Sequence, residues 1–231
     1  MSVAIQVWDL PLRIFHWLLA LAVLSAVVTG EIGGALIDWH GRIGVLILGL
    51  LIFRLIWGFV GSSYARFTNF FPTPAKIVAY LKGQWQGHGH NPLGALSVIA
   101  LLAVLATLVG AGLFANDDIA FQGPLFYLVT KSVSDKLSSL HSYGFNVLAA
   151  LLVLHIAAIV FYARVKKHNL VGPMLTGKKW VPKDQAIEVS RAGVRRFVLA
   201  LAISGVAAWG IGNGVQYLAP AKPAPTAAQN W

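Results

Sequence analysis

The sequence predicts an all-α integral membrane protein: a four-helix transmembrane bundle followed by a fifth, C-terminal transmembrane helix. Three observations carry that expectation. The 231 residues are 57% hydrophobic and only 11% charged, against roughly 25% charged in an ordinary soluble domain. Five windows run for about 20 residues almost without a charge, enough to cross a hydrocarbon layer about 30 Å thick at about 1.5 Å per helical residue. The windows are rich in Leu and Ala and lack the apolar–polar alternation that barrel strands of about 10 residues would show.

In chain order the windows are residues 14–30, 43–60 (interrupted by Arg54), 93–114, 141–163 and 197–218. The first is not followed by a small-x-small cleavage site, so it is expected to be retained. A short link, residues 31–39, forces the first two spans to be antiparallel neighbours. The next link, 61–92, carries Pro72, Pro74 and a run at 75–81 that suits a short amphipathic helix on the membrane surface. Residues 115–136 form a link with Asp117, Asp118, Gly123 and Pro124, whose stretch 124–129 is expected to dip into the interface. A basic stretch, 164–196, separates four spans from a fifth that lacks histidine. Within the fifth, Gly210-x-x-x-Gly214 either allows close helix contact or is a chance pair of small residues. Residues 220–231 read as a flexible external tail.

A net charge of +10 raises the question of nucleic acid, but topology accounts for the basic residues better. With the N-terminus in the cytoplasm, fourteen of the eighteen Lys and Arg fall inside; Arg42, Lys131, Lys136 and Lys222 are the four outside. That positive-inside bias predicts a cytoplasmic N-terminus and an external C-terminus. No basic segment carries a groove-reading motif, so a nucleic-acid partner is not expected. The chain has no cysteine, which excludes disulfides, iron–sulfur clusters, thioether-attached haem and cysteine catalysis.

Of seven histidines, four lie inside or at the edge of apolar spans: His16, His40, His141 and His155. One such residue is commonly an interhelical hydrogen-bonding group; four together point to ligation. His141 and His155 are fourteen residues apart, within about 40° of one helix face and about 21 Å apart along the axis. Alternating topology pairs His16 with His155 on the inner side and His40 with His141 on the outer side. Two facing imidazoles at each of two depths suit two six-coordinate haems. Zinc fits less well, because no cysteine or carboxylate completes a tetrahedron at either depth.

Gly30, fourteen residues after His16, either admits a porphyrin edge at the outer depth or is an ordinary membrane-helix glycine. Haem propionates need cations. Arg54, fourteen after His40, reaches the inner depth inside an apolar span; Arg13, one turn before His16, and Arg42, beside His40, are either propionate partners or snorkelling cations. His90 in Gly-His-Asn-Pro either helps Asn91 cap the third span or takes part in quinone chemistry.

These residues resemble the prokaryotic cytochrome b561 family and the b-type cytochrome subunit of nickel–iron hydrogenases. The likeness rests on Val7-Trp8-Asp9-Leu10-Pro11-Leu12-Arg13-Ile14-Phe15-His16-Trp17, Trp39-His40-Gly41-Arg42-Ile43-Gly44 and Arg54-Leu55-Ile56-Trp57-Gly58. It continues through Gly89-His90-Asn91-Pro92-Leu93-Gly94, His141 with His155, and Pro173-Met174-Leu175-Thr176-Gly177. The resemblance, which covers about residues 5–179, implies two non-covalent b haems, and a bundle domain is expected at residues 1–179; residues 180–231, about which the resemblance says nothing, are expected to be a basic link, fifth span and tail. It also implies electron transfer in a bacterial inner membrane between quinone and a redox partner, such as a c-type cytochrome, a hydrogenase or another oxidoreductase. A self-sufficient quinone reductase or superoxide:quinone oxidoreductase is the alternative, and a haem-free transporter the third. Quinone is expected inside near His90 as proton donor, and the partner outside on Glu31, Asp38, Asp117, Asp118 and Asp135.

Overall fold

The computed structural model describes residues 1–119, 121–185 and 189–214. The end of the fifth window and the expected tail lie outside the described residues.

A short strand, β1 (Ser2–Gln6), leads into α1 (Leu10–Ile32). Asp9 caps α1 by accepting the Leu12 N–H at 2.8 Å, and Pro11 occupies the first turn, where no amide hydrogen is needed. Gly33, at φ 62°, ends the helix, and a 3-10 turn over Gly34–Leu36 feeds α2 (Ile37–Val60). Two short helices follow, α3 (Phe67–Phe70) and α4 (Pro74–Leu81), the second filling the expected amphipathic run and capped by Thr73. Then come α5 (Pro92–Gly112), α6 (Lys131–Arg164), α7 (Val171–Thr176), β2 (Lys178–Pro182) and α8 (Val194–Trp209), which runs on as a π turn over Gly210–Gly214.

Five helices among the described residues are long and apolar enough to cross a membrane. The chain is a multi-pass helical bundle. Its fourth span starts ten residues earlier than expected: Lys131, Asp135 and Lys136 form the first turns of α6, with Lys131 bridging Asp118 at 2.7 Å and Asp135 at 3.0 Å. At 34 residues, α6 is about 51 Å long, so these charged turns stand clear of a hydrocarbon layer of about 30 Å.

Helix α2 is the hub, packing against α1, α5 and α8, while α5 packs against α6. Core side chains gather at two levels, one around Trp8, Phe15, Phe53 and Trp57, the other around Val23, Ile47, Leu105 and Leu148. Leu21, Leu24, Val153 and Leu154 point outward, as lipid-facing side chains do. Helix α8 approaches α2 through Gly49, where a Cβ would lie 3.2 Å from that of Ala208, and Gly212, where one would lie 2.8 Å from Val45. Gly210 faces open space, so the close contact does not use it.

No sequence pattern announces the antiparallel ribbon in which β1 pairs with β2, from Ser2↔Pro182 to Gln6↔Lys178, across the boundary expected at residue 179. Gly177 anchors it. Its carbonyl accepts the Val7 N–H at 2.8 Å and the Trp8 N–H at 3.2 Å, while Arg13 Nη1 donates to the Leu175 carbonyl. Gly177 sits at φ 81°, and a Cβ there would lie 2.6 Å from the Trp8 oxygen. Gly177→Ala should therefore cost about 1–3 kcal/mol, seen as a lower apparent melting temperature of the detergent-solubilised protein.

Paired histidines as a candidate functional site

Two ends of the bundle are distinguishable: a ribbon end, with β1–β2 and the starts of α1, α5 and α8, and a far end. At the far end His40 on α2 faces His141 on α6, ring centres 5.7 Å apart and planes at 85°. Each ring is held from behind. His40 Nδ1 lies 2.8 Å from the Ala26 carbonyl and His141 Nδ1 2.8 Å from the Leu108 carbonyl. A carbonyl only accepts, so Nδ1 carries the hydrogen in both rings, which leaves each Nε2 as a bare lone pair. This is how a ligating imidazole is oriented by its surroundings.

Two glycines make room for the rings. A Cβ on Gly30 would lie 2.9 Å from His40 Nδ1, and one on Gly112 3.1 Å from His141. The space beside Gly30 thus receives the imidazole itself. Gly112 carries no signal in the sequence, because it stands on the helix antiparallel to α6, where no helical period links it to His141. Among the described residues no three His, Cys, Asp or Glu gather to hold a metal ion on their own.

At the ribbon end stand His16, two turns into α1, and His155, on the last third of α6. The His16 ring meets Trp17 edge-on at 5.1 Å, and its Nδ1 is buried without a hydrogen-bond partner among the described residues. Arg54 is 2% exposed, with its Cζ 4.4 Å from the Phe67 ring centre and 5.9 Å from that of Phe70. Among the described residues neither Nη1 nor Nη2 of Arg54 has a hydrogen-bond partner, nor has Arg13 Nε. Asp9, the nearby carboxylate, instead accepts from Trp57 Nε1 at 3.0 Å. Buried guanidinium nitrogens left without acceptors are costly, and carboxylates are the acceptors they fit best. The bare imidazole nitrogens of the far end fit a haem iron, and the orphaned cations of the ribbon end fit haem propionates. Arg42 does not join them; it is exposed and lies over Trp39 at 5.1 Å.

His90 is not a cap. Asn91 alone caps α5, its Oδ1 accepting the Gly94 N–H at 2.8 Å while its amide donates to Tyr162 at 2.9 Å; the Tyr162 hydroxyl in turn meets that of Tyr80 on α4. His90 lies between Trp8, ring centres 4.4 Å apart and planes tilted by 49°, and Phe70, at 4.7 Å and 45°, and lines a cavity of about 250 Å³ with Tyr64, Asn69, Lys76 and Trp85. Burial, followed by the charges of Arg54 and His16, pushes its pKa down to about 3. It is neutral at physiological pH, a hydrogen-bond donor with no proton to release as imidazolium.

A probable Ni/Fe-hydrogenase B-type cytochrome subunit of Rhodobacter capsulatus is 25% identical over 225 residues, covering 80% of this chain and 84% of its own length. Its counterpart in Azotobacter vinelandii is 26% identical over 221 residues, 79% of this chain and 91% of its own. The probable Ni/Fe-hydrogenase 1 B-type cytochrome subunit of Escherichia coli K12 is 22% identical over 210 residues, 74% and 88%. No solved structure matches the chain. The model of the family described as prokaryotic cytochrome b561 matches residues 7–177, from the aromatic start of the first span to the glycine that anchors the ribbon. That stretch contains all four span histidines, and the chain belongs to the prokaryotic cytochrome b561 family.

Proposed function

We propose that this chain passes electrons across a bacterial inner membrane through two b haems, one held by His16 and His155, the other by His40 and His141. Family membership implies haem b, whose iron supplies one-electron ferrous/ferric chemistry when bound. The far-end pair carries the two-site reading. His40 and His141 would hold one haem iron, their ring centres 5.7 Å apart, each Nδ1 committed to a backbone carbonyl and each Nε2 left free. The protein's part is to hold the imidazoles, keep Nδ1 of His40 and His141 protonated against backbone carbonyls and offer Arg54 and Arg13 to propionates. The reading is tested by a pyridine haemochrome assay on purified protein. Two b haems per chain are expected; one per chain would reject the second site.

The positive-inside bias supports a cytoplasmic ribbon end and a periplasmic far end. The relatives' names support a nickel–iron hydrogenase as the redox partner over a c-type cytochrome. The acidic residues of the far end, Glu31, Asp38, Asp117 and Asp118, offer that partner a docking surface.

Quinone, in this reading, enters at the ribbon end, in the cavity that His90 lines. The neutral imidazole would donate a hydrogen bond to a quinone carbonyl, and quinol protons would come from elsewhere. His90→Ala should keep its haem and slow haem oxidation by a soluble quinone analogue about fivefold, the worth of one neutral hydrogen bond. A wild-type rate at full haem content would leave His90 an aromatic packing residue and the quinone unplaced. Steady turnover with quinone and no protein partner would favour the self-sufficient reductase.

A further inference from the structure

A second groove, of about 520 Å³, opens between α2 and α8 at the ribbon end. Its walls include Phe59, Leu199 and Ile203, all more than half exposed, and its mouth carries Arg66 and Arg196. Both guanidiniums are tethered to the end of α2. Arg66 Nε donates to the Gly61 carbonyl at 2.8 Å and Arg196 Nη1 reaches the Val60 carbonyl at 3.5 Å, which leaves their other nitrogens for a further acceptor. Among the described residues no acidic side chain lines the groove.

The start of α8 sharpens the imbalance. Its N-cap is Gly193, which supplies no side-chain acceptor, its first turn has no acid, and Arg195 and Arg196 both stand in that turn. Cations at the positive end of a helix dipole are unfavourable on their own. An anion between Arg66 and Arg196 would relieve both the dipole and the mutual repulsion. The groove therefore calls for an amphiphile with a negative head and an apolar body, at the level where two spans leave the hydrocarbon. Basic pockets between transmembrane helices are the setting in which anionic lipid headgroups bind.

We propose that this groove binds one anionic phospholipid, with its phosphate between Arg66 and Arg196 and an acyl chain along Phe59, Leu199 and Ile203. The lipid fastens α8 to α2, independently of the haem reading. A zwitterionic lipid of the same chain length is the weaker ligand, because its cation enters the same positive field.

The test titrates the detergent-purified full chain with phosphatidylglycerol or phosphatidylcholine of matched acyl chains and counts bound lipid by native mass spectrometry. Phosphatidylglycerol should bind at least about tenfold more tightly. The double substitution Arg66→Ala with Arg196→Ala should abolish the preference. Arg196→Gln alone, which leaves Arg66 on its carbonyl and threatens folding less, should reduce it about fivefold. Lys166→Ala with Lys167→Ala, removing equal charge from the same side of the protein outside the groove, should leave it intact. Equal binding of the two lipids, an unchanged preference in Arg196→Gln, or an equal loss in the lysine variant would each overturn the proposal.

Discussion

His40→Ala and His141→Ala should remove one and the same component from the reduced-minus-oxidised haem spectrum, and His16→Ala and His155→Ala the other, each variant keeping half the wild-type haem. The selectivity follows from depth. His40 and His141 face each other at 5.7 Å across α2 and α6, and the remaining pair lies on α1 and α6 at the opposite end. A helix holds its two ligands about 21 Å apart, so no ring can substitute for one at the other level. Gly112→Val provides an independent arm, because it crowds the His141 ring without removing any nitrogen; it should deplete the far-end component only. Loss of a single common component from His16→Ala and His40→Ala would overturn the pairing.

Arg54→Leu should lower the midpoint potential of the ribbon-end haem by tens of millivolts. The guanidinium is buried beneath Phe67 with both terminal nitrogens unpartnered, so nothing in the described residues neutralises it by hydrogen bonding. A buried cation favours the more electron-rich ferrous state. At an effective dielectric of about 20 and about 8 Å, one charge contributes on the order of 2 kcal/mol, or about 90 mV, as an upper value before propionate and solvent screening. Redox titration of the variant checks it, with the far-end potential as internal control. An unshifted ribbon-end potential at full occupancy would make Arg54 a packing cation held by its aromatic neighbours.

The spans and the four histidines are legible in the sequence because a polar ring in an apolar window stands out, and because helical periodicity alone puts residues fourteen apart on one face. Periodicity stops at the single helix. Gly112 behind His141, Trp57 on Asp9 and Phe70 against His90 are contacts between elements, set by how antiparallel neighbours slide past one another. Spacing alone cannot separate His90 from a capping role, since Gly-His-Asn-Pro places two polar side chains before the proline and only Asn91 turns back onto the helix. The first turns of α6 hide for another reason: they are charged, and a hydrophobicity profile does not distinguish a charged helical turn from a loop. The ribbon leaves less trace still. Strands of five residues carry little pattern, and their partners stand more than 170 positions apart.

That separation also has a meaning in time. Residues 2–6 leave the ribosome well before the strand that satisfies their hydrogen bonds, 178–182. At roughly 5–20 residues per second the interval is about 9–35 s. Through that interval α1 is already in the membrane with its leading strand unpaired, and Arg13 has no Leu175 carbonyl to donate to. The ribbon works as a late latch: the strand synthesised early is fastened only after the four spans between it and its partner have been threaded.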